Sequence, residues 1–215
     1  MDGATAGPGL AEPFAALLDQ YRFPAGYRRM LLAAVDAFAE HGFHGTTTRD
    51  IAARAGMSPA ALYAHFSSKE ELLHTIMSSA LDLTAGMVSA EASRQVSAPG
   101  RLKAVVTALS AWQGYHFPVS RVVLYQLNAL SAEHLAEVAG KMRVIDQTFR
   151  AIIADGVSAG DFTVADVRAT ATATLSLCLD VARWYYPGYR RTPQEIGEMN
   201  ARAALRIVGV PEPPT

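Results

Sequence analysis

Three helix-start signals crowd between residues 47 and 71, and together they leave that stretch few ways to fold. Thr47-Thr48-Arg49-Asp50 places a hydroxyl three residues ahead of a carboxylate, the capping box that satisfies free N–H groups of a new helix. Ser58-Pro59 repeats the message with a serine cap and a proline at the first helical position, where its missing N–H costs nothing. Ser68 and Glu71 form another capping box, which opens a long helix towards Ala90. Gly56 stops the first helix, so two short helices must pack against each other across Gly56-Met57. Spacing puts Ile51, Ala52, Ala55, Leu62 and Phe66 on their inner faces. Ala52 and Gly56 are small enough for a close approach at the turn. Ser58, Pro59, Ala60, Ala61, Tyr63 and Ala64 are left to face outwards.

Upstream, Met30, Leu31, Ala34, Val35, Phe38 and Ala39 recur at helical spacing until Gly42 ends the pattern. Before them, Gly7, Pro8, Gly9, Pro13 and Pro24 predict a flexible arm over residues 1–24, with one short helical turn in 14–21. Downstream, helical patterns run over 101–115, 119–130, 132–155, 164–185 and 193–208. Thr163 with Asp166, and Thr192 with Glu195, are the expected caps of the last two. Gly156, Gly160, Gly188 and Gly209 are expected stops. No strand alternation and no internal repeat is present. The chain therefore reads as all-α, with a compact front part over 25–75 and a larger helical bundle over 76–215.

Composition narrows the function. A net charge of -1 gives no globally basic surface, so any contact with nucleic acid must come from a local constellation. The single cysteine, Cys178, rules out an intrachain disulfide and reads as a buried small hydrophobe in a reducing cytoplasm. The first residues lack the basic start and apolar core of a secretory signal, and no apolar run is long enough to span a membrane. A soluble, cytoplasmic protein is expected. No Gly-rich phosphate loop or serine nucleophile elbow appears, so neither an enzyme nor a cofactor is expected. His134, Glu137 and Glu133 suggest a metal pair, but the sequence offers no second pair to complete a site, and a solvated helix face is the expectation.

The two short helices have the dimensions of a helix-turn-helix, whose second helix enters the DNA major groove and whose N-terminal N–H groups suit a phosphate. The run GFHGTTTRDIAARAGMSPAALYAHFSSKEELL closely resembles the signature of the TetR family of transcriptional regulators, strongly over residues 28–73 and beyond them only in helical layout. The resemblance implies that Thr48 and Arg49 touch phosphate or a groove edge. It places Ser58, Pro59, Ala60 and Ala61 at base edges, Tyr63 and His65 on phosphates, and Lys69 on a phosphate at the start of the fourth helix. Phe66 and Leu62 match packing and core positions. Ala60 and Ala61 depart from the longer residues often found there: they can meet a thymine methyl but make no bidentate base contact. Discrimination would then lean on Arg49, Ser58 and DNA shape, with Arg22, Arg28 and Arg29 adding phosphate or minor-groove contacts. Taken singly, Tyr63 reads as a core cap and Lys69 as a solvated charge. Thr47 and Asp50 belong to the helix cap rather than to DNA.

For the remainder, the resemblance implies small-molecule binding and a homodimer interface. The thin run Ala169–Thr174 and the apolar Ala171, Leu175, Leu179, Ala201 and Leu205 are candidates for the dimer seam, against a reading in which they fill the monomer's own core. Met87, Trp112, Tyr115, His116, Tyr125, Gln126, Met142 and Phe149 are candidates for a mostly apolar effector pocket, against plain core. Likeness around His134, 152–162 and 184–188 to regulators of lipid catabolism makes an acyl-CoA thioester one candidate effector. The expected function is a repressor released from a palindromic operator DNA by a small hydrophobic effector. The alternative is a helical small-molecule or lipid-binding protein whose helix-turn-helix is vestigial.

Overall fold

The computed structural model describes residues 12–94 and 96–211, and every regular element among them is a helix. In chain order they are α1 (Glu12–Leu18), α2 (Ala25–Gly45), α3 (Thr48–Arg54), α4 (Pro59–Tyr63), α5 (Lys69–Ala92), α6 (Ala98–Tyr115), α7 (Phe117–Tyr125), α8 (Ala132–Ser158), α9 (Val167–Leu179), α10 (Val181–Trp184) and α11 (Pro193–Ile207), with single 3-10 turns at Asp19–Tyr21 and Leu127–Ala129. They gather into two compact units that do not follow chain order. One holds the described residues up to Ala80 together with Pro118–Val138; the other holds Leu81–Phe117 and the described chain from Ala139. The long helices α5 and α8 thus each contribute to both.

In the first unit, the flexible arm expected over residues 1–24 gives way from Glu12 onwards to α1. Phe14, Ala15 and Leu18 are buried there, and the Arg28 guanidinium donates to the Ala15 carbonyl at 2.7 Å while pairing with Asp19 at 3.0 Å. Arg28 is therefore a brace for α1 and not a spare cation for DNA. Gly7, Pro8 and Gly9 lie outside the described residues. Helix α2 buries Met30, Leu31, Ala34, Val35 and Phe38 and breaks at Gly42 (φ 70°, ψ 171°), a backbone conformation that favours glycine.

The local caps form as their spacing implied. Thr47 Oγ1 accepts from Asp50 N, and Asp50 returns the bond to Thr47 N at 2.9 Å. Ser58 Oγ accepts from Ala61 N at 3.3 Å with Pro59 in the first turn. At the end of α3, Gly56 N donates to Ala53 O and Met57 N to Ala52 O, a Schellman closure with Gly56 at φ 65°. A Cβ on Gly56 would meet nothing within 4 Å, so this glycine serves its left-handed backbone and not the close helix approach expected of it. At the start of α5, Ser68 Oγ accepts from Glu71 N, but the Glu71 carboxylate reaches Ser67 N and Oγ instead of Ser68, a variant of the expected box.

In the second unit, α11 lies along α6 so closely that a Cβ on Gly197 would overlap the Thr107 carbonyl. Leu102, Val105, Val106 and Leu109 of α6 are fully buried, as are Ile196, Ala201 and Ala204 of α11. Asn200 binds α11 to both neighbours through Ser110 Oγ (3.1 Å) and the Leu177 carbonyl (3.2 Å). Three boundaries differ from expectation. Asp166, not Thr163, caps α9, because the Asp166 carboxylate accepts from Ala169 N at 3.0 Å while Thr163 N is engaged by the Val208 carbonyl. The helix expected over 164–185 is divided into α9 and α10, with Arg183 N closing a tighter bond to Asp180 O. Gly156 is no stop: it lies inside α8, where a side chain would collide with the Phe162 ring folded over it.

Candidate nucleic-acid interface

Helices α3 and α4 are pinned from behind. Ile51, Ala52, Leu62 and Phe66 are fully buried, and Arg54 binds Glu40 of α2 through two bonds of 3.0 and 2.7 Å. The outer face that remains is polar and open. Arg49, Ser58, Pro59 and Ala60 are exposed, Thr48 and Ala61 half-buried, and Tyr63 is 56% exposed. Thr48 Oγ1 and Tyr63 OH lie 3.3 Å apart, so one hydrogen bond joins the start of α3 to the end of α4 on this face. Tyr63 is thus a surface residue and not the core cap that its aromatic ring alone suggested. His65 is exposed too, its ring edge-on to Tyr27 (5.9 Å between centroids), and Tyr27 in turn packs on Phe66 at 4.4 Å.

Lys69 is placed differently. Its ammonium donates to the carbonyls of Phe43 (2.7 Å) and Thr46 (2.6 Å) and sits 4.1 Å from the Phe43 ring centre. Burial holds the Lys69 ammonium below the usual lysine range. It is a strut that closes the carbonyl end of α2, neither a solvated charge nor a cation standing free for a phosphate.

The candidate effector residues are divided between the two units. Tyr125 and Gln126 belong to the first unit, whereas Met87, Trp112, Tyr115, His116, Met142 and Phe149 belong to the second. Gln126 Oε1 accepts from Phe43 N at 3.0 Å, so it serves the helix-turn-helix and not a pocket. Phe149 is fully buried core, while Tyr125 and Tyr115 stand about half exposed. Trp112 and His116 do meet, with ring centres 4.4 Å apart. His116 is buried with Nδ1 unpartnered, and that burial pushes its pKa down to about 4, so the ring is neutral at physiological pH. Gln113, one turn earlier and missed from sequence, is likewise buried with Oε1 unpartnered. Buried polar atoms without partners are the signal that could have drawn attention to it.

Among the dimer candidates, Ala171 and Ala201 are wholly buried within the unit and have no surface to offer a partner. Leu175, Leu179 and Leu205 remain part-exposed, next to exposed Thr172, Ser176 and Ile207. The face around His134 is exposed at Glu133 and Glu137, as expected, but it is not free of partners. His134 Nδ1 bonds Glu70 at 2.9 Å, His74 Nε2 bonds Glu137 at 3.0 Å, and the two imidazoles stack at 3.8 Å and 5°. The second His/Glu pair that the sequence seemed to lack is therefore Glu70 with His74 on α5. Parallel rings keep their in-plane lone pairs from converging, and no group of three or more potential ligands fits a metal ion among the described residues. No helix among those residues is long and apolar enough to cross a membrane.

An all-helical chain whose capped, short-helix pair is buried behind and polar in front is a helix-turn-helix protein of the DNA-binding regulator class. Residues 30–76 match the family described as bacterial regulatory proteins, tetR family, and residues 95–208 match the tetracyclin repressor-like C-terminal domain. The repressor KstR2 of Rhodococcus jostii (strain RHA1) is 30% identical over 172 residues, covering 76% of this chain and 82% of that protein. A solved bacterial regulatory protein in the tetR family from Rhodococcus RHA1 superposes with a TM-score of 0.84 at 36% identity, over 88% of this chain and all of that one. AibR, solved in complex with isovaleryl coenzyme A and operator DNA, shares the fold at 23% identity (TM-score 0.76; 83% of this chain, 97% of that one). The chain belongs to the TetR family of transcriptional regulators.

Proposed function

We propose that the chain is a cytoplasmic homodimeric repressor that grips a palindromic operator with α3 and α4 and lets go when a small apolar effector enters the helices beyond Ala80. The observation that carries this is the polar outer face joined by the Thr48–Tyr63 bond, set on a core that fixes both helices. In this reading Ser58, Pro59, Ala60 and Ala61 meet base edges, Thr48 and Arg49 a groove edge or phosphate, and Tyr63 and His65 phosphates, with Lys69 bracing them from behind. Leu175, Leu179 and Leu205 carry the contact between subunits. Fluorescence anisotropy on intergenic DNA beside the chain's own gene tests it: saturable binding at low salt is expected, and indifference to every fragment sinks the regulator reading.

For the effector, the likeness around His134, 152–162 and 184–188 to regulators of lipid catabolism favours an acyl-CoA thioester, and AibR, which shares the fold, was solved with isovaleryl coenzyme A. Isovaleryl-CoA and longer acyl-CoA thioesters are expected to raise Tm and release DNA where free coenzyme A does neither. A ligand at a hundred times its Kd adds about 2.7 kcal/mol, an easily measured shift. A clear shift from an unrelated compound, with none from any thioester, would discard the acyl-CoA assignment.

A further inference from the structure

The break at Gly42 turns the peptide that follows it out of the regular ladder of α2, a few residues before α3 begins at Thr48. Phe43 N, freed from α2, donates instead to Gln126 Oε1 at 3.0 Å, a side chain 83 residues further along the chain. The Gln126 amide also lies 3.6 Å from where a Cβ on Gly42 would stand, so it fills the notch of the kink. On the other side Lys69 takes the Phe43 and Thr46 carbonyls. Thr46, almost wholly buried, donates through Oγ1 to Gly42 O (2.8 Å) and Ala37 O (3.1 Å). The next residue caps α3, and the first residue of α3 holds Tyr63. Hydrogen bonds and the short backbone steps between them therefore lead from Gln126 to the outer face of α3 and α4.

The segment that supplies Gln126 is anchored a second time. Glu70 accepts from Ser131 N (2.8 Å) and binds His134, while Glu137 binds His74 and accepts from Ser78 Oγ (3.0 Å). Residues 118–138 accordingly group with the N-terminal unit, although α7 is joined through Phe117 to α6 and α8 runs on beyond Val138 into the other unit.

We propose that Gln126 is a positioning residue for operator recognition: by holding Phe43 N–H it sets the angle at which α3 and α4 leave α2, and the segment 118–138 thereby controls the DNA-binding face. This rests on the DNA-binding reading above. Gln126→Leu removes the acceptor, whereas Gln126→Glu keeps one. Because the part-buried Phe43 N–H can then turn to solvent and no longer fixes that angle, Gln126→Leu is expected to weaken operator binding about tenfold. Weak binding to unrelated DNA and Tm should stay close to wild type. Gln126→Glu should recover most of the affinity. Amide exchange should report the cause, with Phe43 losing protection in Gln126→Leu and retaining it in Gln126→Glu. Wild-type affinity in Gln126→Leu, no rescue by Gln126→Glu, or an affinity loss that merely follows a fall in Tm would each overturn the proposal. If wild-type protein ignores every operator fragment, the regulator reading fails and takes this one with it. Unchanged Gln126→Leu on a fragment that wild type binds removes the clamp alone.

Discussion

Tyr63 and Lys69 lie close together in sequence and do opposite work, and mutation separates them. Tyr63 spends its hydroxyl on Thr48 at an open surface, so Tyr63→Phe should leave Tm nearly unchanged while lowering operator affinity. Lys69→Ala should lower both, because two carbonyls at the end of α2 lose their donor; thermal melts beside anisotropy titrations make the comparison. Arg49, exposed and without an ion pair among the described residues, is the side chain whose removal should relax sequence preference as well as affinity. His116 yields a pH prediction. Its folded pKa of about 4 lies below the ordinary 6.5, so the unfolded chain takes up a proton that the folded one refuses. That contribution to stability is complete above about pH 6.5 and lost as pH falls towards 4, amounting to about 3 kcal/mol across the window. Urea midpoints followed against pH should show this slope in wild type and its absence in His116→Phe; parallel curves would refute it.

Helices in this chain were legible wherever their instructions are local. The caps at Thr47, Ser58 and Thr192 need only the next three residues, and all three form. What the sequence hid are bonds whose partners lie far off. Lys69 finds its carbonyls 26 and 23 residues away and Gln126 its amide 83 away, so one looked like a phosphate contact and the other like an effector contact. Ala171 and Ala201 misled for a related reason: small size permits close packing without saying whether the neighbour is the same chain or another. The same distinction between backbone need and space gives a test on glycines. Gly56→Ala should cost about 1–2 kcal/mol, since φ is 65°, and thus lower Tm by a few degrees. Gly86→Ala, in the open middle of α5, should stabilise by roughly 0.5–1 kcal/mol. Equal melting shifts at both positions would contradict the backbone argument.

Two copies of the chain must place their α4 helices about 34 Å apart to read successive turns of one groove. Leu175 and Leu205 are part-exposed leucines on α9 and α11, so Leu205→Glu should yield a folded monomer by light scattering with operator binding lost. A persistent dimer would move the seam elsewhere. The bond between Arg54 and Glu40 has its own consequence for the assembled protein. With Arg54 committed inward, α3 and α4 retain one cation per subunit unpaired among the described residues, Arg49, so on the proposed reading their grip on DNA rests mainly on hydroxyls and backbone. Each neutralised phosphate contributes about 0.9 to the dependence of log K on log salt, so the share of binding that α3 and α4 supply should change little as ionic strength varies. On the proposed reading, few copies of such a repressor should be lost to random chromosomal sequence, and a small number per cell should suffice to hold a promoter.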